Sequence, residues 1–593
     1  MRITAGRPRS TPGRRPRALA GTVIAALAVM TTAGAPAVAA PTGTTDAATT
    51  GGDGLANLRA VAPVLDCSAV TGLDLSGATD AAVTIESATV VTTDTPAPYC
   101  AVEGTIAPAN TFVVHLPVQG WTQRYLQTGC GGLCGSAEIN PGQAAGCEPV
   151  TDGTIATATT DMGHQGQSDG SWAAGNPQAQ IDFAYRGVHA TAQVAKALIT
   201  RFYGRPPVFS YFTGCSDGGR EALMEAQRYP EDFDGIAAGA PASNMAVQNT
   251  FHHAWNVLAN QDENGEPVLL AGKLPLIHAA VVGRCDDLDG LVDGLLADPR
   301  RCDFDPATLV CATDQDPATC LSAEEADVVR RLHDGATTAD GVRLEQAISH
   351  EWGSELDWTL FVPAAPGETT FSEQIALSYL RHLAHPNDPD PDYQLSDLEL
   401  TEASFWEAVQ SSTYMAALDP DLTRFEQNGG KLLLWHGWSD QHISPQATLQ
   451  YYDTVRSTMG AEVTEDFAKL YLFPGLAHCS GGLGPDTFDV LTPVMAWVET
   501  RTAPGESIAS KVQEDGTVTR TRPVYPYPAV ARYDGSGSPD DAANFTSSTP
   551  AGEPAVGYEW LGQGLYSSGY QATCRVVDGQ LVCDPRQLVL PPA

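Results

Sequence analysis

The sequence is short of basic residues and of long apolar runs. Lys and Arg number 33 against 71 Asp and Glu, for a formal charge of −38 over 593 residues. A surface that acidic repels nucleic acid and anionic membranes, so neither is an expected partner, and it suits solubility or the recruitment of divalent cations. Beyond one N-terminal run, no segment approaches the roughly 20 apolar residues that cross a bilayer, so a membrane-spanning protein is not expected. No repeat of solenoid period is visible either. What is present is a chain whose 43% hydrophobic content is that of a folded protein. Its length exceeds what one hydrophobic core usually organises, so a large domain with a substantial insertion, or two domains, is expected.

The single apolar run belongs to the N-terminus. Arg2, Arg7, Arg9, Arg14, Arg15 and Arg17 precede the stretch from Ala18 to about Met30, and Ala37-Val-Ala39 offers a small-residue cleavage site. Residues 1–40 read as an export signal, followed by a Thr, Ala, Gly and Asp linker over 41–57, and the expected location is extracellular. Arg14-Arg15 is a weak match to a twin-arginine signal. Thirteen cysteines in an exported chain predict disulfides, and the odd count leaves at least one unpaired or intermolecular.

From about residue 60 to 240 short strands alternate with helices. Val208-Phe-Ser-Tyr-Phe212 is a β-branched and aromatic run that enters Thr213-Gly-Cys-Ser-Asp-Gly-Gly-Arg220, Arg220 to Tyr229 follows with helical spacing up to Pro230, and Phe233 to Ala238 is a short buried-strand candidate. Residues 243–420 break this rhythm with an acidic loop, several Trp and Pro-rich joints. It returns with Lys431-Leu-Leu-Leu-Trp-His436 and Lys469-Leu-Tyr-Leu-Phe473 as buried strands around a helix from Gln446 to Met459. The expected architecture is α/β, with a hydrolase sheet split between 58–242 and 421–593 and a lid inserted at 243–420.

A serine hydroxyl needs a histidine to take its proton, and that histidine needs a carboxylate to hold its tautomer. Ser216 lies in a G-x-S-x-G turn between a strand and a helix, Asp440 just past the next long strand, and His478 just past the one after. That is the chain order of a doubly wound hydrolase triad. His436 is read as a structural hydrogen-bonder, and Asp217 is too close to the serine in the chain to orient the histidine. Two N–H donors must stabilise the oxyanion. One candidate is the amide of Asp217; the other is Gly131 or Gly132, in Tyr125-Leu-Gln-Thr-Gly-Cys-Gly-Gly132, where glycine admits close backbone approach. Cys215 is an alternative nucleophile, but pairing it with Cys479 fits better, since neighbours of a hydrogen-bonded Ser216 and His478 can lie at disulfide separation.

These residues, with Ala195-Lys-Ala197, Phe202-Tyr-Gly204, Gln227-Arg-Tyr-Pro-Glu-Asp-Phe-Asp-Gly235, His436-Gly-Trp-Ser-Asp440 and His478-Cys479, resemble the tannase and feruloyl esterase family, which includes enzymes acting on mono(2-hydroxyethyl) terephthalate. The resemblance runs from about 60 to about 550. It implies an α/β-hydrolase with a lid between serine and acid, the triad Ser216, Asp440 and His478, a Cys215–Cys479 bond, and small aromatic esters as substrates. It also bears on Cys285-Asp-Asp-Leu-Asp-Gly-Leu-Val-Asp-Gly-Leu-Leu296. By itself this is an acidic loop lacking EF-hand spacing and a closing Glu. The resemblance implies structural calcium held by Asp286, Asp289 and Asp293 with the carbonyls of Leu291 and Leu295, the loop closed by Cys285–Cys302. Cys67–Cys100, Cys311–Cys320 and Cys574–Cys583 are further expected pairs, the last bracketing an Asp-Gly hairpin turn. Cys130, Cys134 and Cys147 are left unassigned, one of them free. Tyr525 and Ser547 stand where the family usually has cysteines, so one bridge is expected to be missing.

No organic cofactor is expected. Trp352, Trp358, Phe361, Phe371, Tyr379 and Trp406 are candidates for aromatic substrate walls or plain core, Arg381 for a substrate anchor or a structural ion pair, and Ile443 for the acyl pocket. Two other functions fit the chain less well: a serine peptidase on the same scaffold, and a calcium-dependent binding protein with a vestigial site.

Overall fold

The computed structural model describes residues 54–345, 349–552 and 560–585. The expected export signal and most of the linker lie outside the described residues.

Nine strands form one sheet in the order β1-β2-β3-β5-β4-β6-β7-β8-β9. They are β1 Val83–Val91, β2 Tyr99–Ile106, β3 Asn110–Pro117, β4 Arg124–Thr128, β5 Ala156–Thr160, β6 Phe209–Cys215, β7 Gly235–Gly239, β8 Lys431–Gly437 and β9 Ala468–Phe473. The first three form an antiparallel meander and β3 pairs antiparallel with β5, so the expected strand–helix alternation starts only after residue 120. Sequence pattern explains the division. β2 and β3 alternate between buried and less buried positions, as a sheet covered on one face requires, whereas β4, β5 and β7 are buried throughout, as parallel strands covered on both faces are. From β5 across to β9 all pairing is parallel.

Side chains alternate across a strand, and here the alternation divides two cores. Phe212, Ile236, Leu432, Leu434 and Leu470 pack with residues of the helices Gly187–Tyr203, Asp217–Arg228 and Pro445–Met459. Tyr211, Ala237, Leu433, Trp435 and Tyr471 pack with the helix Leu491–Thr500. The carboxyl ends of β6, β8 and β9 are thereby held in one rigid row, and that is where the three expected catalytic residues follow.

β7 and β8 are direct parallel neighbours, yet about 190 residues separate them. Among the described residues of this excursion the regular elements are helices, with only isolated bridges between them. It departs from the carboxyl end of β7, beside the Ser216 turn. Past the sheet, β10 Ser507–Val512 pairs with β11 Val518–Val524, β12 Val530–Tyr533 with β13 Phe545–Ser548, and β14 Ala572–Val577 with β15 Gln580–Pro585. The last pair has the expected turn: Asp578 and Gly579 both have positive φ, 51° and 79°, and Cys574 faces and bonds Cys583. Ser547 pairs with Ala531 in a continuous β12–β13 register, so the fold there holds without the family's usual cysteine.

Gly219 is where the helix after β6 meets the end of β7. A Cβ there would sit 2.2 Å from the Gly239 carbonyl and 2.8 Å from Pro241 Cα, both backbone atoms. Gly219→Ala should therefore destabilise the protein by about 1–3 kcal/mol, the cost of overpacking a closed contact. An unchanged denaturant midpoint would show that this helix does not seat as described.

Candidate active site

Strand β6 ends at Cys215 and a helix begins at Asp217, leaving Ser216 alone between them with φ 67° and ψ −123°. A serine in that region is strained and persists because its surroundings over-determine it. Its N–H donates to Gly239 O at 3.0 Å, and its carbonyl accepts from Gly219, Arg220 and Ala242. A Cβ on Gly214 would meet the Gly218 carbonyl oxygen at 2.5 Å, so the turn closes only with glycine at 214. The Asp217 carboxylate is spent elsewhere: Arg220 Nε and Nη2 donate to it at 2.5 and 3.1 Å, and Arg220 also donates to Ala184 O and Phe183 O, all buried. What Asp217 leaves at the elbow is its backbone amide.

Past β8, Asp440 is buried and accepts four hydrogen bonds. Oδ1 takes the amides of His442 at 2.8 Å and Ile443 at 2.9 Å; Oδ2 takes His478 Nδ1 at 2.8 Å and His436 Nε2 at 3.1 Å. Burial works to raise its pKa, but His478 together with the bonds from His436 and His478 prevails and holds the carboxyl well below the usual range. His436 is the structural bonder expected, with Nδ1 on Thr448 Oγ1 at 2.7 Å. His478, past β9, thus has Nδ1 committed to Asp440, leaving Nε2 for proton transfer. Its amide donates to Gln441 Oε1, and its ring lies 4.5 Å from that of His442, which burial, with His478 beside it, keeps neutral. Phe371 from the insertion meets His442 edge-on at 4.9 Å.

Cys215 is bonded to Cys479, with Cα atoms 6.1 Å apart, so the residue before Ser216 is tied to the residue after His478. Cys67–Cys100, Cys285–Cys302, Cys311–Cys320 and Cys574–Cys583 pair as expected. Of the three unassigned cysteines, Cys130 bonds Cys134 and Cys147 is free, buried, and its thiol is pushed up to about 12 by burial.

The Cys130–Cys134 bridge braces the glycine turn. Gly129 packs on Gly218 so closely that a Cβ would be 2.6 Å from its Cα, which sets the turn against the elbow. Within it Gly129 N–H bonds Thr213 O, Cys130 N–H bonds Glu221 Oε1 at 3.1 Å, Leu133 N–H bonds Gln167 O and Cys134 N–H bonds Gly131 O. The amides of Gly131 and Gly132 have no acceptor among the described residues, which leaves them as the turn's available donors. Gly132 has φ 66° and no room for a Cβ, the Gln167 carbonyl oxygen lying 2.5 Å away. Glu221, which sequence reasoning missed, is the buried strut behind this turn; burial first, then Asp217, pushes its carboxyl well above the usual range. Its spacing, one helical turn after Asp217, was the available signal.

In the insertion, Trp352, Trp358, Phe361 and Tyr379 are buried core; Trp352 stacks on His333 and Trp358 Nε1 donates to Ser354 Oγ. Trp406 is partly buried. Arg381 donates to the Tyr393 carbonyl at 2.9 Å, and Ile443 is buried with its amide on Asp440. In the acidic loop, Asp286 accepts the amides of Asp293 and Gly294, and Asp289 accepts that of Leu291. Burial, with Asp293 and Asp286 nearby, pushes Asp289 up to about 6. The carbonyls of Leu291 and Leu295 accept no hydrogen bond among the described residues. Crowded carboxylates and uncommitted carbonyls are a donor set that fits a hard divalent cation. One feature was not legible in advance: Arg522 is ion-paired to Asp293, with Arg520 3.8 Å away.

A mixed, mainly parallel sheet with a strained serine at a strand–helix elbow and an Asp–His pair on the next strand ends is the architecture of an α/β-hydrolase. The pattern of the family "Tannase and feruloyl esterase" matches residues 90–548. Mono(2-hydroxyethyl) terephthalate hydrolase of Piscinibacter sakaiensis is 33% identical over 516 residues, covering 76% of this chain and 85% of that enzyme. A probable feruloyl esterase B-1 of Aspergillus fumigatus is 31% identical over 438 residues, 71% of this chain and 80% of that one. The crystal structure of feruloyl esterase B from Aspergillus oryzae aligns with a TM-score of 0.71 at 25% identity, over 82% of this chain and 100% of that one. The chain belongs to the tannase and feruloyl esterase family and is a carboxylic ester hydrolase. The family and these relatives are esterases and give the peptidase alternative no support.

If the Cys215–Cys479 bond holds the site in register, a Cys215→Ser/Cys479→Ser double variant should lose at least about tenfold in kcat, since small misplacements of reacting groups are costly. Its far-ultraviolet circular dichroism should stay that of the parent. Undiminished kcat would contradict this role.

Proposed function

We propose that this protein hydrolyses esters of aromatic acids through an acyl-enzyme on Ser216. The observation that carries the reading is the His478 imidazole, fixed by Asp440 through Nδ1, on a turn whose Cys479 is bonded to the Cys215 that precedes Ser216. Ser216 Oγ attacks the ester carbonyl while His478 Nε2 takes its proton. The oxyanion is held by the Asp217 amide and by that of Gly131 or Gly132, each such donor contributing about 3–4 kcal/mol of barrier lowering. His478 then returns the proton to the departing alcohol, and water, activated by the same imidazole, releases the acid. Asp440 stays ionised throughout, because its four hydrogen bonds favour the carboxylate. The substrate class follows from the relatives, which are named for feruloyl and terephthaloyl esters, and the insertion supplies an aromatic ring, Phe371, against His442, the neighbour of the base.

Asp286, Asp289 and Asp293, with the carbonyls of Leu291 and Leu295, are the residues that would hold calcium. There the ion would neutralise the crowded carboxylates and brace the insertion, away from the ester. Residues 58–242 and 421–593 act as the hydrolase domain and 243–420 as its lid. Export through residues 1–40 is supported by the six disulfides, which require an oxidising compartment.

Purified enzyme assayed on methyl ferulate, methyl gallate and mono(2-hydroxyethyl) terephthalate should turn over at least one of them, and Ser216→Ala should lower kcat by at least about a thousandfold. Turnover by Ser216→Ala at the parental rate would remove Ser216 from the mechanism.

Chelation of calcium should lower Tm, with recovery on adding calcium back, and Asp289→Asn should abolish the difference. A chelator that abolishes activity while leaving Tm unchanged would refute a structural role for the ion.

A further inference from the structure

The helix that begins after Ser216 carries two acids one turn apart, Asp217 and Glu221, and both are buried, at 1% and 2% exposed. Each belongs to a different half of the oxyanion hole. Asp217 supplies one donor through its own amide. Glu221 reaches the other half: its Oε1 accepts the N–H of Cys130, just before Gly131, at 3.1 Å, and its Oε2 lies 2.9 Å from where a Gly129 Cβ would stand.

The two carboxyl groups also share a hydrogen bond. Carboxylates only accept, so that bond needs a proton on one of them. Asp217 is the ionised partner, since Arg220 Nε and Nη2 donate to it at 2.5 and 3.1 Å. No cation donates to Glu221 among the described residues, and burial favours its neutral form. The proton therefore sits on Glu221, whose Oε1 is taken by the turn, leaving Oε2 to donate to Asp217. A neutral acid is the one form of this side chain that serves both partners.

We propose that Glu221 is a positioning residue for ester hydrolysis: by bonding Asp217 and Cys130 at once, it fixes the spacing between the two N–H donors that meet the oxyanion. This rests on the Ser216 mechanism proposed above. Donor placement counts where charge develops, so its effect belongs to the transition state and not to substrate binding.

The test uses the whole protein and whichever of the three esters named above the parent turns over. Glu221→Met, of similar length, removes both bonds; its kcat should fall at least about tenfold with KM unchanged. Phenylboronic acid, whose boron takes Ser216 Oγ to give a tetrahedral anion while the hydroxyl proton passes to His478, should bind this variant at least about tenfold more weakly by isothermal titration. Glu221→Gln, whose amide donates to Asp217 and accepts from Cys130, should stay within about threefold of the parent in both measurements. Glu221→Asp, one methylene too short to span both partners, should show the same loss as Glu221→Met and decides the matter if Glu221→Met fails to fold. Parental kcat in the methionine or aspartate variant, a loss carried by KM alone, or Glu221→Gln as impaired as the others would each overturn the proposal. Phenylboronic acid that binds Ser216→Ala as tightly as the parent would instead count against the Ser216 mechanism, and would remove the role of Glu221 with it.

Discussion

The Cys215–Cys479 bond is the constraint on which the site's arrangement depends. It joins two turns at the ends of strands β6 and β9, which are not neighbours in the sheet, and closes a loop of 264 residues. In the chain-entropy picture such a loop is worth about 5 kcal/mol, a large share of a domain's net stability. Its local effect matters more for chemistry. Ser216 N–H is bonded to Gly239 O, Gly129 of the glycine turn packs on Gly218 two residues after it, and Cys215 just before it is bonded to Cys479, so that the strained backbone is held from both sides in the chain.

Around this clamp the polar groups are arranged by burial. Asp440, with four donors, is kept ionised; Glu221 and the neutral His442 are pushed towards their uncharged forms by the same dry surroundings. One helix turn carries three distinct jobs: the Asp217 amide faces the elbow, the Asp217–Arg220 pair locks the helix to the carbonyls of Phe183 and Ala184, and Glu221 braces the glycine turn. The insertion reaches this cluster through Phe371, which meets His442, whose ring in turn lies beside that of His478.

Much of this was legible in the sequence, for physical reasons. Buried parallel strands read as unbroken apolar runs, which is why β6, β8 and β9 and the three residues after them could be placed, and cysteines beside Ser216 and His478 pointed to one another. The antiparallel meander of β1–β3 was not separated from the parallel strands, because the break is in pairing and not in composition. Its spacing from Asp217 places Glu221 on the elbow side of its helix, but its partner Cys130, like Asp293 for Arg522, lies more than 90 residues away in the chain, and no spacing rule carries that pairing. The lid aromatics divided for the same reason: Trp358 and Tyr379 are core, while Phe371 alone of the six meets the base's neighbour.

The central claim is that Ser216 carries the acyl group while the disulfide holds it beside His478. Rapid acid quench of a methyl ferulate reaction, followed by non-reducing proteolysis and mass spectrometry, reads both at once. The account predicts a feruloyl increment on the peptide containing Ser216, with that peptide still cross-linked through Cys215 to the one containing Cys479. A feruloyl group on any other residue, or Cys215 found as a free thiol in the active enzyme, would contradict it.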